Sequence, residues 1–411
     1  NPDQRIYSRD LNNFGPAVGF SWQVPWFGRG KTTLRGGYQI SYTGGDQAGT
    51  IETIIGNPPG STNSVTYRPN STYLDLASLS SVIPVPPTAD PMTPVPVTDR
   101  TQNLSVYDPN FVSPYIQNLT LALTRNVGSK LTVDVRYIGT LTRKNVSTQN
   151  INLPNFLTNG LLEAFDAARM GDDANPATQL LDQIFAPVRG ARSGAEFLRT
   201  SARFSGGVQL RQMLANGNYS GLATALSDWA NPNAGAGVTE NGWLLRTAGL
   251  PENFVVTNPQ FNAVNVRTNG GSANYHSMQV QVTLRPVSGV SFRSSYTLSK
   301  NLGNPGSTPT DPRNRAWDYT VLGSDRRHVF TSYGTFDLPV GPNRLFFNRA
   351  SGTLARILEG WQASWIVNVR SGSPANVTAQ NTLYGTGVPD QVGPFPFDQI
   401  GVYWEPGAYE G

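Results

Sequence analysis

Apolar and polar residues alternate one by one along several segments of this chain, and this period of two constrains its fold more than any other feature. In the first such segment, 17–24, four large side chains share one face, namely Val18, Phe20, Trp22 and Val24. The intervening positions are small or polar, which predicts a β-strand with one apolar and one polar side. The alternation resumes after a short turn at 27–31 and continues to Tyr42, so the two segments predict a hairpin.

Two further hairpins follow the same rule, and a fourth strand pair follows it less regularly. The predicted strand pairs are 115–124 with 131–140, 278–284 with 290–298, and 329–338 with 360–370. Together with the first pair they make eight predicted strands. A tilted strand needs about 9 to 11 residues to cross a bilayer, and the clearest of these segments are close to that length.

The connections between these strands alternate in length. Tight turns lie at 27–31, 126–130 and 286–289, whereas long segments span 43–114, 141–275 and 300–327. Outer-membrane barrels have short turns on one side and long extracellular loops on the other. We therefore predict an all-β fold, an antiparallel transmembrane β-barrel with the long segments outside the cell. A soluble β-sandwich also has alternating strands and stays open as an alternative, although it does not segregate its loops by length.

The composition favours a barrel over a membrane-spanning helix. Only 14% of the residues are charged, and no apolar run approaches the roughly 18 residues that a spanning helix requires. A barrel strand shows lipid only every second side chain, which is consistent with a mean hydropathy of −0.32. The chain has no cysteine, which excludes disulfides and thiolate chemistry. The net charge of +4 is scattered along the chain, so we expect no nucleic-acid partner.

Two of the long segments differ in character. Residues 57–97 are rich in Pro, Ser and Thr and predict an extended coil. The segment 141–275 contains apolar residues at helical spacing around 161–168, 180–185 and 210–214. We expect these short helices to form a cap over the barrel mouth.

Residues capable of acid–base or metal chemistry are sparse. The two histidines, His276 and His328, lie far apart in sequence at predicted strand edges, and neither has a second histidine at metal-ligand spacing. We interpret both as interfacial or lumenal polar residues. The sequence predicts no catalytic, cofactor or metal site, and we expect that the protein is not an enzyme.

The densest charged cluster lies in the segment 311–328. Its members are Asp311, Arg313, Arg315, Asp318 and Asp325. Arg–Asp pairs that hold a loop together are one interpretation of this cluster, and we favour it. A substrate or ion contact at the barrel mouth is the other.

The polar sides of the predicted strands would line the lumen of a barrel. Candidate lumen-lining residues are Arg35, Gln39, Asp134, Arg136, Gln281, Arg285, Arg293 and Arg370. The arginines among them suit an anionic or chelated substrate, or contacts that hold a plug. Aromatic residues near strand ends fit the girdles of a barrel at the membrane interfaces, among them Trp22, Trp26, Tyr42, Tyr137, Tyr296 and Trp361.

Several short motifs, in their order along the chain, resemble the barrel of Oar-like TonB-dependent transporters from Acidobacteria. The first strand pair carries Asn13-Phe14-Gly15-Pro16, Gly19-Phe20-Ser21-Trp22, Gly30-Lys31-Thr32 and Leu34-Arg35-Gly36-Gly37-Tyr38. Later motifs are Asn274-Tyr275-His276-Ser277-Met278-Gln279-Val280, Ser294-Ser295-Tyr296-Thr297-Leu298-Ser299-Lys300, Asp325-Arg326-Arg327-His328-Val329-Phe330 and Gly360-Trp361-Gln362. The stretch 159–165 is similar to a large extracellular insertion of the acidobacterial members.

This resemblance implies a plugged barrel of about 22 strands in the outer membrane, which takes up a scarce substrate such as a siderophore or glycan. It also implies three kinds of partner: outer-membrane lipid, the TonB system and an unknown extracellular ligand. Eight strands, and no plug or TonB box in these residues, lead us to expect that 1–411 is one partial barrel domain. The alternative function is a surface structural, adhesion or secretion-related barrel whose loops bind a protein or glycan.

Overall fold

The computed structural model describes residues 6–26, 28–43, 51, 54, 58–60, 94–234, 240–304, 315–375, 390–391 and 409–410. The strands are β1 (Ala17–Val24), β2 (Thr32–Tyr42), β3 (Asn103–Tyr107), β4 (Tyr115–Val127), β5 (Leu131–Asn150), β6 (Phe204–Ser205), β7 (Val208–Gln209), β8 (Ala263–Val287), β9 (Val290–Asn304), β10 (Thr320–Val321), β11 (His328–Asp337), β12 (Gln362–Arg370), β13 (Asp390–Gln391) and β14 (Tyr409–Glu410). The helices are α1 (Leu161–Met170), α2 (Thr178–Phe185), α3 (Gly194–Thr200), α4 (Leu210–Ala215), α5 (Tyr219–Ser227), α6 (Trp243–Thr247) and α7 (Gly352–Leu358), with a 3₁₀ turn at Arg315–Asp318.

Eight long strands form one antiparallel sheet in the order β1-β2-β4-β5-β8-β9-β11-β12. Each strand therefore pairs with the long strand that follows it in sequence, and this confirms the predicted set of eight and their antiparallel arrangement. Two short strands lie off this path, because β3 pairs in parallel with β8 and β10 pairs with β9.

The register gives the sheet one apolar face. Starting from Trp22, directly paired residues on successive strands form an unbroken row of Trp22, Leu34, Leu123, Val135, Val280, Tyr296, Phe330 and Val369. Directly paired residues point to the same side of a sheet, so this row crosses all eight strands on one face. A slip of one residue in any strand would place its apolar set on the other face, so the alternation itself specifies the register.

These apolar side chains are solvent-exposed in the isolated chain. Val18 is 71% exposed, Leu121 is 47% exposed and Val369 is 60% exposed. A soluble sandwich would cover such a face with a second sheet. An apolar band facing outward is instead the arrangement of a barrel in lipid.

The strands on either side of the largest connection are longer than the sequence pattern predicted. β5 continues to Asn150 and β8 begins at Ala263, so the connection is 151–262 and the predicted span 141–275 was too wide at both ends. Both extensions are mainly polar, and their few large apolar residues, Leu141, Val146, Val264 and Val266, do not form a sustained alternation. Lipid selects apolar residues only where a strand crosses the bilayer, so the sequence pattern did not predict these extensions.

The other long segments also contain more strand than expected. The span 43–114 includes β3, and the span 300–327 begins inside β9, which reaches Asn304. β3 pairs with the extended part of β8 and not with a sequence neighbour. Local sequence does not determine such a non-local pairing.

One connection contradicts the predicted segregation of loop lengths. β11 and β12 are joined by the segment 338–361, which contains α7 and lies at the same end of the sheet as the tight turns. The sequence pattern did identify the two strands, but it did not show that their connection lies at the short-turn end.

A small helical unit occupies the connection between β5 and β8, as the sequence predicted. Helices α1 to α6 pack around a shared core whose fully buried members include Leu161, Phe165, Leu181, Ile184, Phe185, Leu198, Leu222 and Leu244. Helices α3, α5 and α6 were not predicted. The buried apolar core is almost entirely here, whereas the strands expose their apolar face. Among the described helices, none has the length and hydropathy needed to cross a membrane.

Candidate functional site

The polar face of the sheet collects all eight candidate lumen-lining residues. Direct pairing forms a second continuous row on this face, made of Gln23, Thr33, Thr124, Asp134, Gln281, Ser295, Thr331 and Asn368. The neighbouring row contains Ser21, Arg35, Ala122, Arg136, Gln279, Thr297, Val329 and Arg370. Gln39 and Arg293 lie on the same side, opposite Asn118 and Thr283.

Arg285 lies at the turn end of β8, two residues beyond Thr283. Its amide donates to the Lys130 carbonyl at 2.8 Å, and the register between β8 and β9 shifts just after Leu284. Whether this polar face lines a lumen stays a prediction, but the predicted residues share one surface.

Asp134 is the acidic centre of this surface. Thr124 Oγ1 donates to Asp134 Oδ2 at 2.5 Å, and Arg136 Nη2 lies 3.2 Å from Asp134 Oδ1. The Asp134 side chain is 15% exposed and that of Arg136 is 46% exposed. Such a half-exposed ion pair contributes little to stability, so its main effect is to hold one arginine in place.

The remaining arginines give the face an excess of positive charge. Arg293 Nη1 donates to the Tyr333 hydroxyl at 3.3 Å. Within the part of the chain that the structure describes, Arg35, Arg285 and Arg370 form no salt bridge, and all three are exposed. Guanidinium groups bind carboxylate, phosphate and similar oxyanions through two parallel hydrogen bonds. The arrangement is therefore suited to an anionic ligand.

The two histidines lie on the opposite, apolar face. Tyr137 Oη and His276 Nδ1 are 2.7 Å apart, and Tyr296 Oη and His328 Nδ1 are also 2.7 Å apart. In both cases the rings are stacked, with centroids 6.2 and 6.1 Å apart. Each histidine thus supplies a polar partner to a tyrosine on the lipid-facing side, which supports the interfacial interpretation and not the lumenal one.

The predicted charged cluster is only partly described. Asp311 and Arg313 lie outside the described residues, and Arg315 and Asp318 bound the 3₁₀ turn. Asp325 is buried, and its Oδ1 accepts a hydrogen bond from the Asn301 amide at 2.7 Å. That contact ties the loop to β9. A loop held by Arg–Asp pairs stays a prediction.

Arg100 joins the first long connection to the helical unit, and the sequence offered no signal for it. Its side chain is 1% exposed, and its Nη2 lies 2.6 Å from Glu252 Oε2. Its Nη1 donates to the Ser227 carbonyl and to Ser227 Oγ, the latter at 2.9 Å. Burial lowers the pKa of this guanidinium from its usual value, and the Glu252 carboxylate opposes that shift.

The backbone around Arg100 is shaped for this contact. Arg100 itself has φ +51°, and Gly242 has φ +76°. A Cβ on Gly242 would lie 2.2 Å from Arg100 Nη2, so only glycine leaves room for the guanidinium. Asn241 adds a hydrogen bond from its amide nitrogen to the Thr98 carbonyl at 2.9 Å.

Other polar contacts hold the helical unit together. Arg203 lies over the Trp229 ring at 3.9 Å, and Tyr219 Oη donates to Asp166 Oδ1 at 2.5 Å. Burial, with the Asp166 hydrogen bond, raises the pKa of Tyr219 to about 12. A shallow cleft of about 490 Å³ lies between α1 and α2, with Glu163 and Gln183 on its walls. These features make the unit a folded module and not a loose loop.

Comparison with known proteins points to the membrane environment that the two faces require. A family described as "Outer membrane beta barrel domain" matches residues 1–403. No curated protein matches the sequence significantly.

Two solved structures show a distant likeness. The outer membrane transporter YddB from Escherichia coli is 9% identical, with a TM-score of 0.34 over 77% of this chain and 26% of that chain. The complex of FpvAI with pyocin S2 is 7% identical, with a TM-score of 0.30 over 85% of this chain and 22% of that chain. The chain thus spans about a quarter of the length of these proteins.

Proposed function

Since this chain belongs to the outer membrane beta barrel domain family, it lies in the outer membrane in contact with lipid, and we propose that it forms the ligand-lining part of a transporter barrel. In this proposal the polar face lines the lumen and the long connections lie outside the cell. The expectation that the protein is not an enzyme is part of the same proposal.

The observation that carries this proposal is the pair of rows across the sheet. One row is apolar on all eight strands, and the row beside it on the opposite face is polar on all eight. An anchor alone needs the apolar row, but it needs neither this continuous polar row nor the three arginines, Arg35, Arg136 and Arg370, in the row next to it on the same face. A passage for an anionic or chelated substrate needs both.

Energy coupling through TonB belongs to the proposal and rests on the sequence resemblance to Oar-like transporters. In this proposal the helical unit is a cap over the barrel. It connects β5 to β8 and is bound to the first long connection through Arg100. Such a cap would select the ligand before it reaches the arginines of the polar face.

Uptake of radioactive ferric citrate, an anionic chelate, by cells with and without TonB tests the transport proposal. We expect accumulation that requires TonB and that falls in the variants Arg35→Gln and Arg370→Gln. Lys31→Gln is the matched control, because Lys31 is an exposed cation in the tight turn before β2. Equal accumulation without TonB, for this chelate and for a panel of other anionic substrates, would overturn the proposal.

A second candidate function is a surface anchor whose helical unit binds a protein or glycan. The self-contained core of that unit favours it, because a plain loop has no need of a buried core. Cells would then bind a partner equally well with and without TonB, and deletion of 156–256 would abolish binding. A transporter would instead lose internal accumulation when TonB is absent.

A further inference from the structure

The connection 338–361 between β11 and β12 presents a set of uncovered apolar side chains at the short-turn end of the sheet. Its exposed members are Leu345, Phe346, Phe347, Leu354, Ile357 and Trp361, with exposed fractions between 52% and 76%. The helix in this segment, α7, has no buried residue at all. In water this arrangement would be unfavourable, because moving each of these apolar side chains out of water lowers the free energy.

The segment is nevertheless folded. The Gly341 amide donates to the Phe346 carbonyl at 3.0 Å, and the Phe346 amide donates to the Pro339 carbonyl at 2.9 Å. At the other end, Trp361 Nε1 donates to the Ile357 carbonyl at 2.6 Å. The backbone thus folds back on itself through its own hydrogen bonds, while the apolar side chains point outward.

This apolar surface continues the lipid-facing side of the sheet. The Leu338 amide donates to the Trp361 carbonyl at 2.8 Å, which carries the pairing of β11 with β12 one residue further. Trp361 is two residues before Ala363 and four before Trp365, which share the apolar face with Phe330 and Val369. The membrane-facing side of the sheet therefore extends to Trp361, the last residue of the connection, whose indole is bonded to Ile357 of α7.

The charges of the segment complement an anionic surface. It contains three arginines, at positions 344, 349 and 356, and a single acidic residue, Glu359. Arg344 reaches Asp337 and Arg356 pairs with Glu359, whereas Arg349 forms no salt bridge within the described part of the chain. Apolar side chains beside a surplus of arginine are typical of a segment that lies in the interface of a bilayer.

We propose that the segment 338–361 is immersed in the phospholipid leaflet at the short-turn end of the barrel. Its apolar side chains insert among the acyl chains, and its arginines lie at anionic headgroups. The inference rests on the outer-membrane placement of the chain and is independent of transport. A protein partner is the competing occupant. Lipid is favoured because the surface is continuous with one that already faces lipid.

Single-cysteine labelling tests the proposal, since this chain contains no cysteine of its own. The protein that carries the chain is reconstituted at full length in vesicles of phosphatidylethanolamine and phosphatidylglycerol. A fluorescent probe is attached at Ile357→Cys or Leu354→Cys, and its quenching by brominated phospholipid is measured. Leu121→Cys, on the apolar face of β4, reports whether the barrel itself is in the membrane. Met170→Cys is the aqueous control, because Met170 is 82% exposed on the helical unit.

We expect quenching at Ile357 and Leu354 comparable with that at Leu121 and several times that at Met170. Quenching as weak as at Met170, in a sample where Leu121 is quenched, would overturn the inference but leave the barrel intact. A probe at Ile357 shielded from both brominated lipid and aqueous iodide would also overturn it, because a protein surface would then cover the segment. The variant Arg349→Gln should lower quenching in these vesicles but not in vesicles of phosphatidylcholine alone.

Discussion

Arg100 Nη2 lies 2.6 Å from Glu252 Oε2, although the two residues are 152 positions apart in sequence. This ion pair connects the first long connection to the helical unit between β5 and β8. The Arg100 side chain is buried, whereas that of Glu252 is 31% exposed. The contact therefore acts as an anchor between two separate insertions on the same end of the sheet.

Removal of this anchor should loosen the helical unit. Arg100→Ala leaves Ser227 and Glu252 without their buried donor, and we expect a loss of about 1–3 kcal/mol of local stability. Hydrogen exchange of the segment 94–102 and of α5 measures the effect. Arg246→Ala is the matched control, because Arg246 binds Glu252 Oε1 at 2.6 Å from a more exposed position. Arg246→Ala should lower the local stability by less than about 1 kcal/mol. An equal loss of stability in the two variants would show that Arg100 is not the anchor.

The two faces of the sheet should respond oppositely to a charge. Leu121→Arg places a cation on the apolar face, and we expect a loss of about 2–4 kcal/mol in the free energy of unfolding if the residue is near the bilayer centre. Thr120→Arg, one residue away on the polar face, should cost less than about 1 kcal/mol. Urea unfolding of the protein in vesicles measures both. Similar losses in the two variants would show that the faces are not lipid and lumen.

The core of the helical unit should be independent of the barrel. Phe165 is fully buried in that core, and Phe165→Ala should cost about 3–5 kcal/mol through the cavity that it leaves. Limited proteolysis of 151–262 should accelerate strongly, while the barrel keeps its resistance to detergent. Met170→Ala, at an exposed position of α1, should change neither measurement. Loss of barrel resistance in Phe165→Ala would show that the unit is part of the barrel core.

Alkaline pH should destabilise the helical unit through Tyr219. Its pKa is raised to about 12 in the folded protein, above the ordinary value of 10.0, because it is buried and donates to Asp166. The unfolded chain therefore releases this proton first, so the contribution is complete below pH 10 and is lost as the pH rises toward 12. The expected loss across this interval is about 2–3 kcal/mol.

Thermal unfolding of the helical unit at increasing pH, followed together with tyrosinate absorbance, measures this loss. Other tyrosines also titrate in this range, so the comparison is with Tyr219→Phe. That variant should be less stable at neutral pH and should show a weaker dependence on alkaline pH. If the stability of Tyr219→Phe fell with pH as steeply as that of the unchanged protein, the effect would belong to other tyrosines.

The sequence by itself determined the strands that cross the membrane and the side of each residue on them. The reason is physical, because lipid on one face and water on the other impose a period of two that is visible without a structure. Trp22, Leu34 and Leu123 could be assigned to one face, and Arg35 and Arg136 to the other, before their register was known.

Only the tertiary structure decided the features that depend on distant contacts. Arg100 lies in a coil whose sequence carries no periodic signal, and its burial depends on Gly242 and Glu252 far along the chain. The extensions of β5 and β8 lack the sustained apolar alternation that lipid imposes on a strand where it crosses the bilayer. The segment 338–361 carries no period of two, and its place at the short-turn end follows from the direction of β11, which the paired strands determine and the local sequence does not.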